Sequence, residues 1–199
     1  MKRIAIFVSG SGTNMENILE HVRDGKIKAE AALVLSDNPQ AYALKRAEKC
    51  NVECVVVDRK RFESKAAFEA EIRRHLKRAK IDFLLLAGFM RILSPDFVRA
   101  YPKKILNIHP ALLPQFPGAH AIQEAWEAKA KKTGVTVHFV DEGVDTGPII
   151  LQREVAIDAG ETLESLEKKI HEVEYEIYPE AVNLVLQGKN RLDLKPKNA

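Results

Sequence analysis

Two polar side chains stand one residue apart within a short, mostly apolar segment, Leu106 to Pro110. The segment predicts a β-strand, and alternate residues of a strand share a face, so Asn107 and His109 point the same way. The amide of Asn107 can donate a hydrogen bond to a developing oxyanion. The imidazole of His109 can donate a hydrogen bond or move a proton near neutral pH. The pair therefore indicates oxyanion and acid–base chemistry at a strand end.

A third candidate lies in the acidic, turn-rich segment Asp141–Pro148, which joins two further predicted strands. The carboxylate of Asp145, brought near His109, would favour the imidazolium and orient the ring. Asn107, His109 and Asp145 would then serve as oxyanion stabiliser, proton handler and charge partner in acyl transfer to an amine. The alternative is structural, because a single histidine after a strand often only donates a structural hydrogen bond, and an aspartate in such a loop usually only shapes the turn.

The glycine-rich segment Gly10–Asn14 follows an apolar run and precedes residues with helical spacing. Small residues at a strand-to-helix turn let the backbone wrap an anion, and the helix dipole favours negative charge there. The segment lacks the Gly-Lys-Ser/Thr of a Walker A loop, and Met15 takes the place of the third glycine of a dinucleotide fingerprint. A single phosphate is the favoured ligand, with Lys65 as an additional cation. A tight turn without a ligand is the alternative.

Short apolar runs alternate with segments of helical spacing, which predicts βαβ units and a parallel sheet. We therefore predict an α/β fold: a single domain over residues 1–199, with an open, mostly parallel twisted sheet and helices on both faces. Ligands of such sheets collect at the carboxyl ends of the strands. The predicted strands are Arg3–Val8, Ala31–Leu35, Val52–Val57, Phe83–Ala87, Ile105–Ile108, Val135–Val140 and Pro148–Val155. The predicted helices lie near residues 15–22, 41–47, 64–76, 121–131 and 162–187, with one more after Ser94-Pro95. Pro179 is predicted to kink or split the last helix, and residues 195–199 to fray.

The 199 residues include 31 basic and 28 acidic side chains, for a formal net charge of +3. Because the two signs are interspersed, the composition does not favour nucleic acid as a partner and suits an anionic small molecule equally well. No apolar run is long enough to span a bilayer and no signal peptide is visible, so we expect a cytoplasmic protein without a membrane partner. The sequence leaves the oligomeric state open, with a homodimer as one outcome.

Neither the cysteines nor the histidines show the spacing of a metal site. Cys50 and Cys54 are the only cysteines, and no second pair accompanies them. His120 and His138 could join His109 around zinc, but no HExxH or similar spacing supports that arrangement. We therefore expect no metal.

Taken together, these segments resemble the phosphoribosylglycinamide formyltransferase family, the folate-dependent formyltransferases of purine synthesis. The matching stretches are Ser9–Asn14, Leu86–Leu93, Leu106–Pro114, Val137–Val140, Asp145–Pro148 and, in the late helix, Glu174 with Ile177–Pro179. They occur in the expected order along most of the chain, and the joint pattern is more specific than any one piece. The resemblance implies a Rossmann-like formyltransferase that uses 10-formyltetrahydrofolate as co-substrate and glycinamide ribonucleotide as formyl acceptor.

The resemblance also implies a role for each matching residue. Asn107, His109 and Asp145 would be catalytic. A phosphate-binding half, about residues 1–100, would precede a folate-binding and catalytic half, about residues 101–190. The implied substrate-binding residues are Gly12, Thr13 and Asn14, with Lys65 near the phosphate and Glu174 at the ribosyl or glycinamide portion. The implied folate-binding residues are Met90, Arg91, Ile92 and Leu93, largely through backbone groups, and the loop residues Asp141, Glu142, Gly143 and Val144.

Four other functions are weighed against this one. A methionyl-tRNA formyltransferase would need an additional C-terminal RNA-binding domain, and a formyltetrahydrofolate hydrolase would carry an extra domain before the first strand. The length of 199 residues and a first strand at residue 3 lead us to expect neither. A sugar-amine formyltransferase is disfavoured only by the phosphate-type turn. A nucleotide-binding regulatory module would leave Asn107, His109 and Asp145 unexplained.

Overall fold

The computed structural model describes residues 1–189 of the chain. These residues contain seven β-strands and six α-helices. The strands are β1 (Lys2–Val8), β2 (Ala29–Ser36), β3 (Cys54–Val56), β4 (Phe83–Leu86), β5 (Ile105–His109), β6 (Lys132–Phe139) and β7 (Ile149–Ala156). The helices are α1 (Thr13–Arg23), α2 (Tyr42–Lys49), α3 (Lys65–Arg78), α4 (Pro95–Ala100), α5 (Ala121–Glu127) and α6 (Leu163–Leu186).

All of these strands join one open sheet in the order β3-β2-β1-β4-β5-β6-β7. The first five strands run parallel, β6 runs antiparallel to β5, and β7 runs antiparallel to β6. The predicted open, mostly parallel sheet is therefore confirmed. The strand order reverses between β1 and β4, and ligands of such sheets bind in the crevice at the carboxyl ends of the strands beside this reversal.

The central strand β1 shows why helices cover both faces of the sheet. Ile4, Ile6 and Val8 are fully buried in a core that also contains residues of α1, α2 and α6. Ala5 and Phe7 are fully buried on the other face, in a core with residues of α3 and α4. Burying one large apolar side chain stabilises a fold by roughly 1.5–3 kcal/mol. A strand covered on both faces therefore needs a continuous apolar run, as residues 4–8 provide.

The two helices predicted near residue 64 and after Ser94-Pro95 each begin at a serine cap. The hydroxyl of Ser64 accepts a hydrogen bond from the backbone N of Ala67 at 3.1 Å, and α3 begins there. The hydroxyl of Ser94 accepts one from Phe97 at 3.1 Å, and Pro95 is the first residue of α4. Such a cap is worth about 0.5–2 kcal/mol. The two serines therefore fix where the preceding loops end.

Element boundaries differ from the predictions where a neighbouring strand or a turn sets the limit. β2 begins at Ala29, earlier than predicted, because its pairing with β1 already starts there. β3 is shorter than predicted, because only Cys54–Val56 pair with β2. α5 ends at Glu127, earlier than predicted, since Lys129 adopts a left-handed φ of 50°.

The last helix, α6, runs without a break from Leu163 to Leu186, so it is not split at Pro179. Proline removes one backbone hydrogen bond from a helix interior. Tyr178 and Ala181 beside it are fully buried, and this packing outweighs the loss. The hydroxyl of Tyr178 also donates to the backbone oxygen of Leu86 at 2.9 Å, which ties α6 to the carboxyl end of β4.

No helix within residues 1–189 is long and apolar enough to cross a membrane. The polar residues 195–199, which the sequence predicts to fray, lie outside the described range.

Candidate active site

The three predicted catalytic residues converge at the carboxyl end of β5. Asn107 and His109 lie on β5, and Asp145 lies on the loop between β6 and β7. The antiparallel register of β5 and β6 pairs Asn107 with His138, and the Asn107 Nδ2 lies 3.2 Å from the His138 Nε2. These four side chains form one polar cluster, the candidate catalytic cluster of this site (the catalytic cluster for short).

Asp145 connects the catalytic cluster through both of its carboxylate oxygens. Its Oδ2 accepts a hydrogen bond from the backbone N of Gly118 at 2.9 Å and lies 3.4 Å from the Nδ1 of His109. Its Oδ1 accepts a hydrogen bond from the Asn107 Nδ2 at 3.4 Å and lies 3.6 Å from the Nε2 of His138. Burial alone would raise the pKa of the Asp145 carboxyl. The His138 ring, the Gly118 amide and the charge of His109 outweigh burial and hold this pKa below its ordinary value.

The imidazole of His109 is nearly enclosed and has an acceptor beside each nitrogen. Its Nε2 lies 2.7 Å from the backbone oxygen of Phe116, and its Nδ1 faces the carboxylate of Asp145. Only a protonated ring can donate a hydrogen bond from both nitrogens at once. Phe116 adopts a left-handed φ of 51°, which is uncommon for an aromatic residue, so its carbonyl belongs to a specific loop conformation. The two acceptors therefore hold the ring in a fixed orientation.

A cavity of about 370 Å³ opens beside the catalytic cluster. Its wall includes residues 88–93 after β4, residues 107–110 at the end of β5 and, from the loop after β6, Asp141, Gly143, Val144 and Asp145. The side chains of Met90 and Ile92 are 70% and 66% exposed, so the wall presents apolar surface to an incoming molecule. A mostly apolar cavity of this size with a few convergent polar groups is typical of a small-molecule site. The structure thus brings the predicted segment Met90–Leu93 to the catalytic cluster.

The loop after β6 is braced by its own hydrogen bonds. The Oδ1 of Asp141 accepts from the backbone N of Gly143 at 3.1 Å and from the Oγ1 of Thr146 at 2.7 Å. Glu142, which the sequence predicts as a folate-binding residue, does not line the cavity. Its carboxylate accepts a hydrogen bond from the Nη1 of Arg99 at 2.7 Å instead.

The predicted phosphate turn joins β1 to α1. Gly12 adopts a left-handed φ of 76°, and a Cβ on this residue would lie 2.4 Å from the Cβ of Ala43 on α2. Glycine is therefore required both by the backbone conformation and by the close packing of α2. Thr13 and Asn14 begin α1, and the first N–H groups of a helix have no partner inside it. The turn has the geometry in which such groups bind an anion.

Glu174 on α6 lies beside this turn. Its Oε2 accepts a hydrogen bond from the Nδ2 of Asn14 at 2.9 Å and lies 2.8 Å from the Nδ1 of His171. The hydrogen bond to Glu174 raises the pKa of the His171 imidazole above its ordinary value. Lys65 is the exposed first residue of α3, and its contact with a phosphate stays a prediction.

Sequence reasoning missed three contributors to the catalytic cluster. It considers His138 only as a zinc ligand, whereas the β5–β6 register makes His138 a neighbour of Asn107 and Asp145. Pairing of the strands predicted at residues 105–108 and 135–140 could have been expected from the sequence, and it would have pointed to His138 as a neighbour of Asn107. Phe116 and Gly118 contribute through backbone groups, which residue type does not reveal. Within residues 1–189, no group of three or more His, Cys, Asp or Glu side chains could hold a metal ion.

The doubly wound sheet and the catalytic cluster define an α/β protein equipped for acyl transfer between small molecules. Residues 2–182 match the family model described as formyl transferase, and the chain belongs to this family.

Known relatives narrow the comparison further. The chain is 43% identical over 191 residues to a phosphoribosylglycinamide formyltransferase of Bacillus subtilis (strain 168), a match that covers 96% of this chain and 98% of the relative. The crystal structure of glycinamide ribonucleotide transformylase 1 from Geobacillus kaustophilus has a TM-score of 0.91 and 50% identity, covering 94% of this chain and 99% of the other. The crystal structure of glycinamide ribonucleotide transformylase 1 from Symbiobacterium toebii has a TM-score of 0.92 and 44% identity, covering 94% of this chain and 89% of the other. The predicted family and its Rossmann-like fold are confirmed.

Proposed function

We propose that this protein transfers the formyl group of 10-formyltetrahydrofolate to the amine of glycinamide ribonucleotide, which yields formylglycinamide ribonucleotide and tetrahydrofolate in purine biosynthesis. The observation that carries the proposal is the convergence of Asn107, His109 and Asp145 on the wall of one cavity. Relatives that match nearly the whole chain bear the name of this enzyme. Both substrates are small molecules of the cytoplasm, so the reaction requires no nucleic acid and no membrane.

The cavity suits the pterin portion of a reduced folate. A flat heteroaromatic ring needs apolar walls, which Met90, Ile92 and Val144 supply with exposed side chains. It also needs hydrogen bonds along its polar edge, which backbone groups of residues 90–93 and 141–144 can provide. The volume of about 370 Å³ lies within the range of small-molecule sites. In this proposal the formyl group reaches the catalytic cluster from the cavity.

The second substrate binds across the strand-order reversal. Its phosphate lies at the N-terminus of α1, where Gly12, Thr13 and Asn14 offer backbone N–H groups and the helix dipole favours an anion. Lys65 supplies a further cation. Glu174, held by Asn14, accepts hydrogen bonds from the ribosyl or glycinamide portion. The first half of the chain thus binds the phosphate, and the second half carries the catalytic residues and part of the folate site.

The catalytic cluster promotes direct attack of the amine on the formyl carbon that the folate supplies. Asn107 and His109 donate hydrogen bonds to the formyl oxygen as negative charge develops there, and removing one such donor typically raises a barrier by about 2.7–4 kcal/mol. Asp145 stabilises the charge of His109 and accepts the amine proton through water. The new carbon–nitrogen bond forms, the bond to the folate nitrogen breaks, and that nitrogen takes up a proton. Holding both substrates together lowers the barrier further.

The test is amine-dependent release of tetrahydrofolate. The purified protein is mixed with 10-formyltetrahydrofolate, with and without glycinamide ribonucleotide, and tetrahydrofolate is followed by absorbance. We expect release only when the amine is present, and we expect His109→Ala to abolish it. Equal release without the amine would indicate a hydrolase. No release with either mixture would contradict the proposal and direct the assay to sugar amines.

A further inference from the structure

The loop after β4, residues 87–94, combines an exposed apolar surface with firm attachment at both ends. Met90 and Ile92 expose most of their side chains in the cavity wall, whereas Phe89 and Leu93 are buried in the core. Loops that present apolar side chains to solvent are ordinarily mobile unless hydrogen bonds and packing fix them. Two buried carboxylates that do not line the cavity provide such hydrogen bonds.

The first anchor is Asp37, which directly follows β2 and has a side chain only 4% exposed. Its Oδ1 accepts a hydrogen bond from the hydroxyl of Ser9 at 2.6 Å. The same hydroxyl accepts one from the backbone N of Met90 at 2.8 Å. The Oδ2 of Asp37 accepts a hydrogen bond from the Nε of Arg91 at 2.6 Å. One buried carboxylate thus fixes two consecutive residues of the loop.

The second anchor is Glu69 on α3, which is 3% exposed. Its Oε1 accepts a hydrogen bond from the backbone N of Ser94 at 2.7 Å, and its Oε2 accepts one from the hydroxyl of Ser94. That hydroxyl also caps α4 by accepting from the backbone N of Phe97. Glu69 therefore fixes the point where the loop ends and α4 begins.

Burying a carboxylate is unfavourable unless hydrogen bonds compensate, and charge-assisted hydrogen bonds are stronger than neutral ones. Asp37 accepts such a bond from Arg91 and orients the Ser9 hydroxyl that holds Met90, and Glu69 accepts two bonds from Ser94. These contacts lie within and directly after the predicted folate-binding segment, residues 90–93. We propose that Asp37 and Glu69 are positioning residues for folate binding, an inference that rests on the proposed function. They hold residues 90–93 in the binding conformation before the ligand arrives, so folate binding does not have to order the loop.

The test compares variants at the two anchors with a matched control. Glu69→Ala and Asp37→Ala remove each anchor, whereas Glu69→Gln and Asp37→Asn keep the side-chain size and one acceptor oxygen. Glu71→Gln is the control, because Glu71 lies on the same helix and its carboxylate binds Arg74 instead of the loop. Three quantities are measured: the affinity for tetrahydrofolate by calorimetry, the KM for each substrate, and the hydrogen exchange of the backbone amides of residues 89–94.

We expect both alanine variants to bind tetrahydrofolate about tenfold more weakly, because folate binding must then order the loop. Their amides at residues 90 and 94 exchange faster, and their KM for glycinamide ribonucleotide stays unchanged. The Gln and Asn variants recover most of the affinity, and Glu71→Gln equals the wild type. Wild-type exchange rates overturn the inference. So does faster exchange without weaker folate binding, or an equal loss for both substrates.

Misfolding of the alanine variants and a failure of the wild type to act or bind are interpreted separately. If the alanine variants do not fold, Glu69→Gln and Asp37→Asn decide: faster exchange at residues 90 and 94, with a loss of folate affinity that is measurable but less than about tenfold, supports the inference. Wild-type exchange together with wild-type affinity overturns it. A wild-type protein that binds tetrahydrofolate without formylating glycinamide ribonucleotide overturns the proposed function and leaves the positioning role standing. A wild-type protein that binds no folate overturns both.

Discussion

Replacing Asp145 with asparagine removes the negative charge of the catalytic cluster while keeping the size of the side chain. Asp145 adopts a left-handed φ of 54°, and Asn is, like Asp, one of the non-glycine residues that adopt this conformation readily. The side-chain oxygen of Asn can still accept the hydrogen bond from the backbone N of Gly118. The substitution therefore tests the charge without displacing the loop.

The magnitude follows from one distance. The Oδ2 of Asp145 lies 3.4 Å from the Nδ1 of His109. Opposite unit charges at this separation attract by about 5 kcal/mol at an effective dielectric constant of about 20. Part of this is offset because the buried pair loses hydration, which leaves about 4 kcal/mol. Since about 1.36 kcal/mol corresponds to a tenfold change in rate, we expect Asp145→Asn to lower kcat by about a thousandfold.

Steady-state turnover and the affinity for tetrahydrofolate are measured for Asp145→Asn and for the control Asp158→Asn. Asp158 carries an exposed carboxylate that binds the Nζ of Lys169, so its variant should match the wild type. If Asp145 acts through His109, the double variant with His109→Ala should be no slower than the slower single variant. A kcat within about tenfold of wild type for Asp145→Asn would refute its assigned role, and effects that multiply fully in the double variant would refute its action through His109.

Three further predictions concern stability. Gly12→Ala should lower the free energy of unfolding by at least about 2 kcal/mol, because it combines a left-handed φ with a clash against α2; an unchanged urea midpoint would contradict this. Tyr178→Phe should cost about 0.5–1.5 kcal/mol, since it removes the hydrogen bond that the buried Tyr178 hydroxyl donates to the backbone oxygen of Leu86; thermal unfolding measures it, and an unchanged melting temperature would count against it. Because Glu174 raises the pKa of His171, their pairing contributes fully below about pH 6.5 and is lost as pH rises through the raised pKa. The stability difference between the wild type and His171→Gln should therefore shrink with rising pH in urea unfolding, and a constant difference would refute this.

The positions of Asn107 and His109, the residues that could carry out chemistry, were predictable because they follow from local rules. The two-residue period of β5 puts Asn107 and His109 on one face, and the rule that ligands gather at strand ends locates them near the crevice. The place of Gly12 in a tight turn was also predictable from a local rule, since a strand-to-helix turn with a left-handed residue needs glycine. Asp145 was a candidate from its acidic, turn-rich loop, and the family resemblance implied the same residue. It lies far from Asn107 and His109 in the sequence but next to them in the structure.

What the sequence did not reveal depends on contacts between distant segments. Asp37 and Glu69 read as ordinary surface acids, because an acidic residue beside a turn or on a helix is usually exposed. Only the packing of α3 and the end of β2 against the loop after β4 buries them. The prediction that Pro179 splits the last helix is wrong, since α6 continues through it among buried neighbours.

The proposed function depends above all on direct transfer of the formyl group between two bound substrates. The most direct test follows formyl-labelled 10-formyltetrahydrofolate, carrying carbon-13, through a single turnover with glycinamide ribonucleotide in water enriched in oxygen-18. We predict that the labelled formyl group moves to the amine of the ribonucleotide with its original oxygen and that no free formate forms. Labelled formate as the main product, or oxygen-18 in the formyl group of the product, would contradict it.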